Sequence, residues 1–141
     1  MQEKWINGLL QGIEEIPDPK IKQQMFQHAG AACAKAHAEV LFTKSWEEAE
    51  GDLDSFLKKL NEKFKTEIYK RTGESQITAT YPQCYCPLVS LGLTKSPTLC
   101  NCSPNWLEHN FTTILKKPVT VTRNESVLTK GAKCSFNITL K

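Results

Sequence analysis

Apolar residues recur every three or four positions in the first half of the chain and alternate with polar residues near its end. Trp5, Ile6, Leu9, Leu10, Ile13 and Ile16 fall at helical spacing, so residues 2–16 are expected to form an amphipathic helix. Pro17-Asp18-Pro19 stops it. A second helix is expected over about 19–40, with Ile21, Met25, Ala29, Ala32, Cys33 and Ala36 as its inward stripe. The small residues Ala29-Gly30-Ala31-Ala32 allow another element to approach closely. Ser45 is placed to cap a third helix, and Glu48 three residues on would complete a capping box. Trp46, Ala49, Leu53, Phe56, Leu57, Leu60 and Phe64 give that helix one apolar face.

The period then changes. Thr72-Gly73-Glu74-Ser75 reads as a turn between strands at 67–71 and 76–81, and Ile77, Ala79 and Tyr81 alternate as a half-buried strand does. Residues 88–99 read as a loop. Ser103 is expected to cap a fourth helix, with Pro104 at its first position and Trp106, Leu107, Phe111, Ile114 and Leu115 on its apolar face. Pro118 ends it. Residues 119–128 and 133–140 form a hairpin around Thr129-Lys130-Gly131-Ala132, with Cys134, Phe136, Ile138 and Leu140 on one face. The expected class is α+β, as one domain over residues 1–141. Its N-terminal helices pack on an antiparallel sheet, with a cysteine-rich loop and the fourth helix before a C-terminal hairpin. Trp5, Leu9, Leu53, Leu57, Phe136 and Ile138 are expected to share one core.

A chain of 141 residues can bury such a core without a metal or disulfide to rescue it. The net charge is +3, and the basic residues of the second half are scattered without an arginine cluster, which argues against nucleic acid as a partner. No apolar run is long enough for a membrane span. Met1-Gln2-Glu3-Lys4-Trp5 lacks the basic and apolar pattern of a secretory signal. The expected location is therefore cytoplasmic, where thiols stay reduced. The Asn-x-Ser/Thr sequons at Asn101, Asn110, Asn124 and Asn137 are then chance matches.

The chemistry is concentrated in two cysteine pairs, Cys84-Tyr85-Cys86-Pro87 and Cys100-Asn101-Cys102-Ser103-Pro104. In an extended chain residues i and i+2 face the same side, so each pair can present two sulfurs together. Cys84, Cys86, Cys100 and Cys102 are thus candidate metal ligands, with zinc the expected metal, although C-x-C is a weaker zinc signal than C-x-x-C. The same residues can instead form disulfides, supply a reactive thiolate, or be buried as small apolar side chains. Cys102 precedes an expected helix N-terminus, which favours a thiolate. Cys33 and His37 lie one helical turn apart and are candidate ligand-binding residues, as a nucleophile–base pair or as two contacts. Cys134, His28 and His109 read as packing or surface residues. No phosphate-binding glycine loop, Ser-His-Asp set or HExxH motif occurs.

From Trp5 to the C-terminus the chain resembles a group of small bacterial and archaeal cysteine-motif proteins. These lie near the thiazoline-carboxylate hydrolase-like and vinyl-reductase-like small-molecule-binding proteins. The resemblance rests on Ala29-Gly30-Ala31-Ala32-Cys33-Ala34, both cysteine pairs with their prolines, Asn105-Trp106, Lys117-Pro118-Val119 and Gly131-Ala132-Lys133-Cys134-Ser135-Phe136. Such proteins often read Cys-Gly-Arg-x-Cys in the second helix; here Ala29 and Ala31 replace the first cysteine and the arginine. The resemblance implies a ligand cavity between sheet and helices. The expected function is binding of a small-molecule ligand or zinc, as a sensor or accessory protein. The alternatives are a cysteine-dependent hydrolase of a small sulfur heterocycle and a thiol redox protein. The oligomeric state is left open.

Overall fold

The computed structural model describes all residues from Met1 to Lys141. Four helices come first: α1 (Gln2–Glu14), α2 (Pro19–His37), α3 (Glu39–Glu48) and α4 (Leu53–Phe64). Strands β1 (Tyr69–Gly73) and β2 (Gln76–Tyr81) follow, then the single turn α5 (Pro87–Ser90) and a 3-10 turn at Pro97–Asn101. Helix α6 (Cys102–Leu115) leads to β3 (Val119–Glu125), a 3-10 turn at Val127–Thr129, and β4 (Cys134–Leu140). The strands form one antiparallel sheet in the order β1-β2-β4-β3. This is the α+β class expected, with helices before the sheet and a hairpin at the end.

The alternation in the strands decides which face is covered. Ile77, Ala79, Tyr81, Phe136 and Ile138 are buried, and Ile77 pairs with Ile138 while Ala79 pairs with Phe136. They pack under Leu107, Phe111 and Ile114 of α6 and under Phe42, Phe56, Leu57 and Leu60 of α3 and α4. The opposite face carries Thr78, Thr80, Thr120, Thr122, Asn137 and Thr139, as a one-sided antiparallel sheet requires. Asn61 joins the two layers. Its amide nitrogen donates to the Tyr69 carbonyl at 2.8 Å, and its oxygen accepts from the backbone N–H groups of Ile68 and Tyr69 at 2.9 and 2.8 Å. One α4 side chain thereby supplies three backbone partners where β1 begins.

The helix boundaries differ from the sequence pattern for identifiable reasons. Asp18 caps α2 by accepting from Lys20 N–H, with Pro19 as first residue. The helix breaks at Ala38 (φ −124°), so residues 19–40 are not one helix. Ser45 caps nothing. It lies buried inside α3, where its hydroxyl donates to the Leu41 carbonyl at 2.8 Å and accepts from Lys63 Nζ at 3.0 Å. Asp52 is the true cap, accepting from Ser55 N–H at 2.9 Å and starting α4. Ser103 is likewise no cap, because the 3-10 turn already runs into α6 at Cys102.

Leu53 is half-buried and Leu57, Phe136 and Ile138 are buried, but Trp5 and Leu9 are 67% and 46% exposed. Helix α1 buries Leu10 and Ile13 instead. Polar contacts tie it to the 93–98 segment, away from the sheet. Asn7 donates to the Leu93 carbonyl and accepts from the Thr94 hydroxyl at 2.7 Å, and Thr98 donates to Glu14. Of the expected stripe of α2, Ile21, Met25, Ala29, Ala32 and Ala36 turn outward and only Cys33 is half-buried. The buried residues of the helix are Phe26, Gly30 and Ala34, which face α6.

Gly30 sets the distance between α2 and α6. A Cβ at this position would lie 2.7 Å from Asn105 Cβ and 2.8 Å from the Trp106 backbone nitrogen. Gly12, on the open side of α1, has nothing within 4 Å of the same atom. Gly30→Ala should therefore lower unfolding stability by about 1–3 kcal/mol through overpacking. Gly12→Ala should raise it by about 0.5–1 kcal/mol through helix propensity. Urea unfolding of the two variants checks both signs.

Candidate functional site

All six cysteines are free and all six line one cavity of about 270 Å³. It lies between α2, α6, the 84–87 segment and the inward face of β3 and β4. Cys33 and His37 come from α2, Cys84 and Cys86 from the segment after β2, and Cys134 from the first residue of β4. Cys100 belongs to the 3-10 turn and Cys102 opens α6. Trp106, Leu107, Tyr81 and Phe136 form much of the apolar wall. The cavity therefore holds every candidate site residue of the sequence analysis, and adds Cys134 and Arg123 to them. The alternation along β4 had already put Cys134 on the inner face. The same period puts Arg123 inward with Val119 and Val121, although nothing in its neighbourhood singles it out.

The second pair does not present two sulfurs side by side. Cys100 and Cys102 lie in helical backbone, where residues two apart are rotated by about 200–240° rather than returned to one face. Cys100 meets Ser126 Oγ at 3.0 Å, beneath the β3–β4 connection. The charge neighbours of Cys102 are Cys33 and Cys86. The extended-chain geometry that would gather four sulfurs around one ion is thus lost, and no group of three or more metal-ligating side chains is assembled anywhere in the chain. The metal-binding assignment of Cys84, Cys86, Cys100 and Cys102 is corrected accordingly.

The environment also opposes thiolate formation. Burial raises the pKa of Cys33, Cys84 and Cys100, and pushes Cys102 up to about 12. For Cys100 the Ser126 hydrogen bond and the Arg123 guanidinium pull the other way without reversing the effect. The position of Cys102 at a helix start does not activate it, because desolvation outweighs any gain from the helix N-terminus. Arg123 Nη1 is buried on the cavity wall with no hydrogen-bond partner. His37 is exposed at the rim, and His109 is paired with Glu39 at 2.9 Å, bridging α6 to α3. The site is a wall of thiols and aromatic rings with one guanidinium.

No protein-family model matches this chain, and no curated protein matches it. The crystal structure of a trafficking protein particle complex subunit 3 from Naegleria fowleri, covalently bound to palmitic acid, is similar in fold. The likeness covers 99% of this chain and 92% of that one, with a TM-score of 0.56 and 9% sequence identity. At that identity it shows the shared fold alone. The resemblance to thiazoline-carboxylate hydrolase-like and vinyl-reductase-like proteins is therefore corrected: no family model supports it, and the chain instead shares its fold with the Naegleria fowleri protein. The expectations of a zinc or small-molecule sensor, a hydrolase and a small-molecule partner fall with it. They rested on reading close cysteine spacing as chemistry, where the structure uses it to line an apolar space.

Cys102 makes the thiol assignment testable by pH. In the fold it keeps its proton up to about pH 12, whereas its ordinary value is 9.0. Above pH 9 the unfolded chain loses this proton first, so the stability from this group is complete below about pH 9 and is lost as pH rises toward 12. The urea midpoint should fall between about pH 8 and about pH 10.5, and Cys102→Ser should make that fall shallower. Identical slopes in the two proteins would place Cys102 in solvent.

Proposed function

We propose that this chain is an assembly subunit of the trafficking-particle type, acting through protein partners in the cytoplasm. The observation that carries this reading is the fold likeness over nearly the whole length of both chains. The exposed apolar side chains of α1 support it. Trp5, Leu9 and Met1 stand out from a helix whose other face is anchored, and Met1, Trp5, Ile6 and Leu93 line a shallow groove there. Apolar surface of this kind marks a contact site for another protein. The cytoplasm is also the compartment in which six free thiols remain reduced.

A native complex is the expected observation. The tagged chain, expressed at its natural level, should elute well above its own 15.9 kDa and carry other polypeptides in fixed stoichiometry. Trp5→Asp combined with Leu9→Asp should release those polypeptides while the circular dichroism spectrum stays unchanged. Elution free of any second polypeptide in both proteins would count against the reading.

The cavity favours a second, compatible reading, in which a cysteine there carries a covalently attached acyl chain. An apolar cavity of about 150 Å³ already accepts benzene, and 270 Å³ of thiol and aromatic wall suits a slim chain. Acyl transfer from a thioester donor forms a new thioester at the cysteine sulfur, and the cysteine proton leaves on the donor thiol. This is a modification of the chain, distinct from the reversible small-molecule partner set aside above. Intact mass spectrometry should show one acyl increment that neutral hydroxylamine removes; an unmodified mass from the native source overturns it.

A further inference from the structure

The chain leaves the sheet at Tyr81 and is fixed again at Cys100, whose sulfur meets Ser126. Between these points none of residues 82–93 is buried. Their backbone–backbone hydrogen bonds all stay within the segment, as in Ser90 N–H to the Cys86 carbonyl and Leu93 N–H to the Leu88 carbonyl, both at 3.0 Å. Yet this segment forms a wall of the cavity, through Gln83, Cys84, Tyr85, Cys86 and Pro87. Cys100 and Cys134 are charge neighbours of Cys84, and Cys33 and Cys102 are charge neighbours of Cys86. Sparse burial and hydrogen bonds confined to one segment mark a region that can open while the rest of the fold stays intact.

What holds the segment down is α1. Asn7 Nδ2 donates to the Leu93 carbonyl at 3.0 Å, and Asn7 Oδ1 accepts from the Thr94 hydroxyl at 2.7 Å. The Thr94 oxygen in turn accepts from Ser96 N–H at 3.0 Å. Thr94 is the first buried residue after Tyr81. Asn7 Nδ2 also donates to the Glu3 carbonyl of its own helix at 2.8 Å, so the amide is held from both sides. Apart from its own local turns, the stretch 82–96 is hydrogen-bonded to α1 and to no other helix or strand.

We infer that residues 82–93 are a lid on the thiol cavity, latched by Asn7 of α1 through Leu93 and Thr94. When the latch opens, the segment turns about its two fixed ends, Tyr81 and Cys100, and the wall at 83–87 moves with it. The lid governs how fast a molecule larger than water reaches Cys100. Leu93 also lines the groove formed with Met1, Trp5 and Ile6, so the latch lies beside the partner surface proposed above. The lid rests neither on that reading nor on an acyl chain in the cavity, and it can fail or stand without them.

Alkylation of the native chain by N-ethylmaleimide, read at Cys100 by peptide mass spectrometry, tests the lid. Asn7→Ala removes both latch bonds and should raise the Cys100 rate about tenfold. Thr94→Val removes only the hydroxyl; it should also raise the rate, and it covers the case in which Asn7→Ala misfolds. The double variant should react no faster than Asn7→Ala alone, because both changes break one latch. Hydrogen exchange should quicken over residues 83–93 and stay unchanged in β4. Asp52→Ala removes the cap of α4 and weakens the whole fold without touching the lid, so it should leave the Cys100 rate as it is. A rate unchanged by both latch variants, a rate raised as much by Asp52→Ala, or effects that multiply in the double variant would overturn the proposal.

Discussion

The ring of Phe42 is fully buried and stands edge-on to four others. Phe56 of α4 and Tyr69 of β1 lie at 6.1 Å between centroids, Trp106 of α6 at 5.8 Å and Phe111 of α6 at 5.6 Å. Each edge-to-face pair contributes about 0.5–1.5 kcal/mol beyond its burial. One side chain from the short helix α3 therefore joins both layers of the molecule. The break at Ala38 follows from this constraint: α2 is aligned by Gly30 against α6, and the chain must change direction to bring Phe42 under the sheet. Trp106 meets Phe42 and also lines the cysteine cavity, so that wall is fixed by the core and not by loop packing.

The fold was readable where one period governs a whole element. Ile77, Ala79 and Tyr81 alternate, and so do Phe136 and Ile138; all five are buried on one face. The apolar face of α6 is equally direct. The N-terminal helices were harder, because an apolar stripe states that a face avoids water without saying what covers it. Helices α1 and α2 each carry apolar residues over more than one face, and the sequence offers no sign that Leu10 and Ile13, or Phe26 and Ala34, are the inward ones. The deciding contacts are long-range and polar, such as Asn7 with Leu93 and Thr94. The cysteines repeat the lesson. Their grouping was visible, but the geometry of Cys100 and Cys102 depended on a 3-10 turn running directly into a helix.

Six cysteines on one wall suggest reactivity until their surroundings are considered. Cysteine is also a small, polarizable apolar residue, and burial holds it in that form. The resulting cavity is greasy, with its polar functions few and fixed. Ser126 is the main one: its hydroxyl contacts Cys100 and accepts from Leu128 N–H, while its carbonyl accepts from Gly131 N–H at 2.8 Å. Gly131 is required there, since a Cβ would lie 2.7 Å from that carbonyl oxygen. The β3–β4 connection thus closes the cavity floor with a backbone contact that tolerates no side chain. Against this order Arg123 is an exception. A buried guanidinium nitrogen without a partner carries a desolvation cost of about 1–3 kcal/mol or more.

The sheet itself is poorly suited to joining another protein. Its outer face is lined by threonine and asparagine, and its edges are β1 and β3. Strand β1 is five residues long, carries Lys70 and Arg71, and slips register between Arg71 and Gly73. Strand β3 slips register between Arg123 and Glu125. Short length, charge and bulges are the features by which natural edges avoid pairing with foreign strands. The helical layer shows the opposite character, with Trp5, Leu9, Ile21, Met25 and Val40 in solvent. The two faces of the molecule are thus differentiated: one resists association, and the other retains apolar surface that its own core does not use. Much of the exposed apolar surface of this fold lies on helices α1 and α2, on the side of the molecule away from the polar face of the sheet.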